Sequence, residues 1–267
     1  MITKKYYKLV RVSHADSDYF RVTNVDTTAG TLTINGTNNL GVNLEYSTDG
    51  VNWTTADSNA PFSLSVPAGA NVYMRGTNSS FDGKTIKMTV KHKIGGNIYS
   101  ILDKATYASR TNSVGNYEFR KLFLDNQNLV SSSEMTFGNV TTLKDYCYNE
   151  MFKGCIMMTD TPELPATTLA INCYASMFCW SGIEHSPILP VRTLTYNGCY
   201  YSMFWSCSNL KSVYCLAENI TSSTSSNYTN NWMDSVSNSG TFYKSTNATE
   251  WPRTKHGIPS GWTVVDA

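Results

Sequence analysis

Cys147-Tyr148-Asn149-Glu150-Met151-Phe152, Cys173-Tyr174-Ala175-Ser176-Met177-Phe178 and Cys199-Tyr200-Tyr201-Ser202-Met203-Phe204 are three copies of one pattern, set 26 residues apart. The shared residues stand at i, i+1, i+4 and i+5, and the two between them change from copy to copy. That spacing gathers the shared side chains on one side of a short helix and predicts that they face a core. Working outward, Glu163-Leu164-Pro165-Ala166-Thr167-Thr168-Leu169 is echoed by Ile188-Leu189-Pro190-Val191-Arg192-Thr193-Leu194. A weaker copy, Phe119-Arg120-Lys121-Leu122-Phe123, precedes the three clear ones. The segments after each helix, Ile156-Met157-Met158 and Leu210 to Leu216, can each supply a strand. Stacking of the units then predicts a parallel sheet on one wall and helices on the other. A single unit cannot bury its own face, so both ends need covers.

Upstream the pattern changes. From about Tyr19 to Ile94, short alternating apolar runs are broken by turn signals, which reads as antiparallel β structure. The runs are Leu32-Thr33-Ile34 before Asn35-Gly36, Leu44-Glu45-Tyr46 turning through Asp49-Gly50 into Val51-Asn52-Trp53, then Phe62 to Val66, Asn71 to Met74 and Thr85 to Val90. Six or seven short strands in this span predict a small immunoglobulin-like sandwich. Gly95-Gly96 breaks the β pattern, and Ile98, Ile101 and Leu102 take helical spacing. The expected organisation is an N-terminal arm over 1–16, a sandwich over 17–95, a front cap with the degenerate copy over 96–140, three repeats over 141–216 and a C-terminal cap over 217–267. The fold class is therefore mainly β with short helices, an immunoglobulin-like β-sandwich followed by a short repeat solenoid.

The repeat period lies within the range of leucine-rich repeats. The Cys-Tyr-x-x-Met-Phe repeat, the Leu164 to Leu169 linker, Gly96-Asn97-Ile98 leading into it and the ending Gly257-Ile258-Pro259-Ser260-Gly261-Trp262-Thr263-Val264 together resemble the BspA-like leucine-rich-repeat proteins of gut Bacteroidetes and their phages. The resemblance covers about residues 95 to 267. It implies surface attachment: binding of host proteins, glycans or a bacterial receptor. The chain departs from the family in having few repeats and in carrying Trp180-Ser181-Gly182 where another copy has Gly154-Cys155-Ile156.

Composition sets outer bounds. Lys plus Arg is 21 and Asp plus Glu is 20, so no field of one sign draws in nucleic acid. Charged residues are only 15% of the chain, against roughly 25% in an average soluble protein. No stretch approaches the ~20 apolar residues of a membrane span, and the basic start lacks an apolar core and cleavage site. The chain thus reads as an uncleaved, soluble product with no membrane insertion.

Cys147, Cys155, Cys173, Cys179, Cys199, Cys207 and Cys215 form no Cys-x-x-Cys, and their spacing follows the repeat. A buried ladder of small side chains fits this spacing, with disulfides or metal as the alternatives. Cys179 and His185 are the nearest approach to a nucleophile and base, but no orienting acid or oxyanion motif surrounds them. Asp16 and Asp18 lack the glycine and distal glutamate of a calcium loop. Asp160, Glu163 and Glu184 sit at unrelated repeat positions and do not read as a facing acid and base. No enzyme, cofactor or metal is expected.

Aromatic residues are abundant, with 17 Tyr and 6 Trp. Tyr148, Tyr174 and Tyr200 occupy a shared, inward position. Trp180, Tyr201 and Trp205 fall where the copies vary, and are the candidate ligand-binding aromatics; the alternative is that they cover the solenoid edge. The reading that results is a noncatalytic virion protein of a bacteriophage, a head or tail fibre, spike or decoration subunit. Its N-terminal part would contact other virion proteins, and its repeats a bacterial surface glycan or protein. Homo-oligomers are expected, and a bacterial cell-surface adhesin is the alternative.

Overall fold

A computed structural model describes residues 18–35, 39–111, 115–248 and 251–267. The expected N-terminal arm, Asp16 and the Gly36 end of the first turn lie outside them. The protein is mainly β. Strands β1 (Phe20–Asn24), β2 (Gly30–Asn35), β3 (Leu44–Ser47), β4 (Thr54–Thr55), β5 (Phe62–Val66), β6 (Asn71–Gly76), β7 (Thr85–Met88) and β8 (His92–Asn97) fill the N-terminal third. β2, β3, β5, β6 and β7 fall on the alternating runs, and β1, β2, β6 and β7 bury every second residue. Val51-Asn52-Trp53, expected as a strand, is bend and loop, and Thr54–Thr55 just after it pairs with β3. β5-β2-β7 form one antiparallel sheet and β4-β3-β6-β1-β8 belong to a second. Phe20, Val22, Val72 and Met74 from the larger sheet share a buried cluster with Leu32, Ile34, Phe62 and Ile86 from the smaller.

Two boundaries differ from expectation. Gly95-Gly96 does not end the β region but lies inside β8, which pairs on one side with β1 and on the other, in parallel, with β9 (Leu129–Thr136). The glycines are there for close approach: a Cβ on Gly96, whose φ is +73°, would stand 2.1 Å from the Tyr19 carbonyl oxygen. The first strand of the repeat region thus completes a six-stranded sheet. Glu134 on β9 pairs with Arg21 on β1 and Lys93 on β8, tying both parts together. The short helix expected after the glycines is present as a 3-10 turn, Ile98–Ile101, with Asn97 Oδ1 accepting the Tyr99 N–H at its start.

The second difference concerns the repeat motif. The Cys-Tyr-x-x-Met-Phe segments are not helical. They form a ribbon of overlapping turns in which amide groups alternate between two partners. Asn149, Met151, Lys153 and Cys155 donate to the carbonyl three residues back, at 3.2, 3.2, 3.3 and 3.2 Å. Tyr148, Glu150, Phe152 and Gly154 donate instead to Cys173, Ala175, Met177 and Cys179 of the next copy, at 3.0, 2.9, 2.8 and 2.9 Å. The same alternation recurs in the ribbons around Cys173 and Cys199 and in the degenerate copy, where Phe119 and Phe123 donate to Cys147 and Met151. Every fourth residue has positive φ: Tyr117, Lys121 and Asp125, then Tyr146, Glu150 and Gly154, then Asn172, Ser176 and Trp180, then Gly198, Ser202 and Ser206. These are third positions of type II-like turns, conformations that cost a non-glycine residue roughly 1 kcal/mol or more each. The inter-copy hydrogen bonds hold them in place.

A four-residue turn period and a helix both put i, i+1, i+4 and i+5 on one side, so the predicted core face stands. Cys147, Tyr148, Met151 and Phe152 are buried, as are their counterparts in the next two copies. Two aromatic ladders run through the stack. Phe123, Phe152, Phe178 and Phe204 stack with centroids 5.2, 5.6 and 5.9 Å apart and planes within 7°. Phe119, Tyr148, Tyr174, Tyr200 and Trp232 form the second.

Opposite the ribbon, β10 (His185–Leu189), β11 (Ser212–Cys215), β12 (Thr241–Lys244) and β13 (Thr263–Asp266) form a parallel sheet in sequence order. Leu210 to Leu216 holds the expected strand, whereas Ile156–Met158 is turn and loop. Between β9 and β10 the carboxylate of Asp160 takes the place of strand pairing, accepting the Ser132 and Ser133 N–H groups at 2.7 and 3.0 Å. A four-residue α-helix (Ser225–Tyr228) lies in the C-terminal region, where Trp232, Trp251 and Trp262 close the stack.

Removing a rung from the middle of the phenylalanine ladder leaves a void between two rings that cannot close up. Phe178→Ala is expected to cost about 3–5 kcal/mol, read as a loss of unfolding midpoint in urea. A loss below ~1 kcal/mol would mean that the ladder is not a packed core.

Candidate functional site

The ribbon turns one face to the core and the other to solvent. The positions turned away from that core carry Asn149, Glu150 and Lys153 in one coil, Ala175, Ser176, Cys179 and Trp180 in the next, and Tyr201, Ser202, Trp205 and Ser206 in the third, with Ala175, Cys179 and Ser202 covered by their neighbours. The three candidate aromatics therefore share one face. Trp180 and Tyr201 are 46% and 40% exposed and Trp205 is half-buried. The rings of Trp180 and Trp205 lie 5.4 Å apart at 36°, and the Trp180 N–H donates to the Trp205 carbonyl. On the other flank Lys153 Nζ stands 5.4 Å from the Trp180 ring centroid and 3.5 Å from Glu150 Oε2. Tyr201 sits one four-residue period before Trp205 on the same coil. Ala175 and Cys179, on the same coil as Trp180, are small and buried. The arrangement offers exposed aromatic faces with a cation and a carboxylate beside them, which suits noncovalent recognition of a flat or amphipathic ligand.

The chemistry elsewhere is spoken for. Burial pushes the Cys179 thiol up to about 11, with Lys153 pulling it back in part. His185 is exposed on β10 and shares a 2.8 Å hydrogen bond with Ser212 Oγ. The two do not form a nucleophile and base pair. Asp160 is occupied by the Ser131–Ser133 segment, Glu184 pairs with Lys211 at 2.6 Å, and Glu163 is exposed. Asp18 is exposed at a bend before β1. Among the described residues no cluster of three or more His, Cys, Asp or Glu could hold a metal ion, and no helix is long and apolar enough to cross a membrane.

All seven cysteines are free and buried. Cys147, Cys173 and Cys199 occupy equivalent core positions, as the ladder reading expects. Cys155 and Cys207 occupy a second equivalent position, where each thiol donates to a carbonyl of the preceding coil, Phe123 O at 3.2 Å and Phe178 O at 2.9 Å.

Sequence reasoning missed Glu118. It stands in the degenerate coil where the other coils have cysteine, and only 1% of it is exposed. Its Oε1 accepts the Gly115 N–H at 3.1 Å, and Oε2 has no partner among the described residues. Burial drives its carboxyl up to about 9, with Gly115 and Arg110 opposing. The alignment of Glu118-Phe119 with Cys147-Tyr148 was the available signal. A second buried titratable group, His92, is held neutral: its Nδ1 bonds the Val90 carbonyl at 2.9 Å, its Nε2 lies 3.0 Å from Asn126 Nδ2, and burial pulls it down to about 4.

These two groups set opposite pH slopes. Between 4.5 and about 9 the folded chain keeps a proton on Glu118 that the unfolded chain has lost, so stability falls as pH rises. Between about 4 and 6.5 the unfolded chain protonates His92 and the folded chain does not, so stability rises with pH. The slopes oppose one another up to 6.5, and beyond it Glu118 acts without opposition from His92. The thermal midpoint is expected to drop from pH 6.5 to 9, and Glu118→Gln to raise it at pH 8 and flatten the drop; a variant with unchanged slope would show that Glu118 titrates normally. A thiol-specific disulfide reagent is expected to leave all seven cysteines unmodified in the native protein and to titrate seven after unfolding. Rapid native labelling of any one would contradict the buried ladder.

The chain matches no protein-family model, no curated protein and no solved structure.

Proposed function

We propose that the chain is a noncatalytic attachment protein, an immunoglobulin-like sandwich carrying a short leucine-rich-repeat solenoid of the BspA-like kind, borne on a bacteriophage virion. The repeat stack presents its outer face to a bacterial surface glycan or protein, and the N-terminal part faces other virion proteins. The observation that carries this reading is the pair Trp180 and Trp205 with Tyr201, held on the outside of a stack whose coils are locked together by backbone hydrogen bonds. A fixed array of exposed rings costs little ordering entropy on binding. The shared β8–β9 pairing supports the same reading, since it joins the anchoring part to the presenting part through backbone hydrogen bonds.

Two measurements test it. Labelled protein is expected to adsorb to cells of its bacterial host, and Trp180→Ala with Trp205→Ala to weaken adsorption about tenfold or more while the unfolding midpoint stays put. Undiminished adsorption by the double variant would remove the ribbon face from the mechanism. Immunogold labelling of purified particles beside intact bacteria decides the location: gold on particles supports a virion component, whereas gold confined to the bacterial envelope replaces it with a cell-surface adhesin.

A further inference from the structure

β13 is the outer strand of the parallel sheet, paired with β12 on one side only. All four of its residues are exposed, including Val264 at 37% and Val265 at 39%. An exposed, apolar edge of this kind is what folded proteins ordinarily guard with charge or proline. Here the single charge, Asp266, is already paired with Lys244 of the neighbouring strand.

The backbone directions are fixed by the bonds to β12. The Thr263 N–H donates to Gly240 O at 2.9 Å and the Ala267 N–H to Lys244 O at 2.8 Å. Residues alternate along a strand, so Thr263, Val265 and Ala267 point their amide groups at β12, while Val264 and Asp266 point theirs at the open edge. One residue earlier the edge is closed: the Trp262 N–H donates to Pro259 O and the Trp262 carbonyl accepts Arg253 Nη2 at 2.7 Å. The open groups are therefore those of Val264 and Asp266.

We propose that this edge pairs antiparallel with the same edge of a second copy of the chain, about a twofold axis through Val265. Val264 then exchanges two backbone hydrogen bonds with Asp266 of the second copy, Asp266 exchanges two with Val264 of the second copy, and the two Val265 residues meet as a non-hydrogen-bonded pair. The alternative register, centred on Val264, would need the amide groups of Trp262, which are already used. The side chains agree with the choice. Ile188, Tyr214, Tyr243 and Val265 are register neighbours across the sheet, on the face opposite the buried Val213 and Phe242. Tyr214 and Tyr243 stack at 4.1 Å, and Ile188 is 48% exposed. Contact between two Val265 residues joins this apolar row to its own copy and makes one continuous eight-stranded sheet.

The test uses the full chain in light scattering. The expected mass is twice 29.7 kDa at high protein concentration. Val264→Pro removes one open-edge donor without touching a bond to β12, and is expected to return the mass to that of one chain with the far-ultraviolet spectrum unchanged. Val265→Cys places two Cα atoms about 4.5 Å apart, within disulfide range, so mild oxidation should give an interchain crosslink that Thr263→Cys does not. A wild-type chain that stays at the mass of one copy up to roughly 200 µM, a dimer indifferent to Val264→Pro, or a Val265→Cys variant that fails to crosslink would each overturn the proposal.

Discussion

The alternation of amide partners along the turn ribbon is the constraint on which the repeat region rests. A helix satisfies its own backbone, so helices can be stacked at many spacings. In this ribbon half of the N–H groups depend on the next coil, so a coil is complete only when its neighbour is present and in register. Registration of the backbones then aligns the side chains. Phenylalanine meets phenylalanine and tyrosine meets tyrosine because the hydrogen bonds repeat without slippage, and the offset-stacked rings add their own packing. The positive φ at every fourth residue is the local strain that this mutual dependence sustains.

The stack needs a beginning and an end, and the protein supplies each differently. At the front, the N-terminal sheets act as the preceding coil: the Phe81, Ile86 and His92 N–H groups donate to Glu118, Leu122 and Asn128, while β8 pairs with β9 and the Tyr99 hydroxyl bonds that of Tyr148. At the rear the tryptophans take over. Trp232 extends the tyrosine ladder, donates through Nε1 to Gly257 O at 2.7 Å and stacks on Trp251. One end is therefore covered by a second body and the other by large side chains.

Much of this was legible in the residues. The alternating runs marked β2, β3, β5, β6 and β7 nearly residue by residue, left β1 and β8 unnamed and put the strand after Asp49-Gly50 three residues early, and the spacing of Cys, Tyr, Met and Phe gave the core face. The helix was misread because a four-residue turn period and a helical period predict the same inward set over six residues. Small or turn-favouring residues at the positive-φ positions, Gly154, Asn172, Ser176, Gly198 and Ser202, were the distinguishing signal. Tyr117, Lys121, Glu150 and Trp180 at equivalent positions diluted it. Gly95-Gly96 was misread as a break for a related reason: glycine serves close backbone approach inside a strand as well as a turn. Of the outward face, the variable aromatic positions were visible in the sequence. The way Lys153 and Trp205 flank Trp180 was not, since it arises from three different coils.

The coils differ in how much length they allow. Counting between equivalent ribbon positions, Tyr117 to Tyr146 spans 29 residues, while Tyr146 to Asn172 and Asn172 to Gly198 span 26 each. In the longer interval the added residues lie in the return segment, since the amide pairing from Tyr117 to Asp125 keeps one constant offset. One residue inserted into the ribbon would exchange every local amide bond downstream for an inter-coil one and turn buried rings outward, whereas the same residue in a return loop changes only a surface excursion. Evolution and protein engineering thus meet the same rule: new binding loops can be grafted where the chain travels back, and whole coils can be added or removed, while the ribbon tolerates substitution but not a change of length.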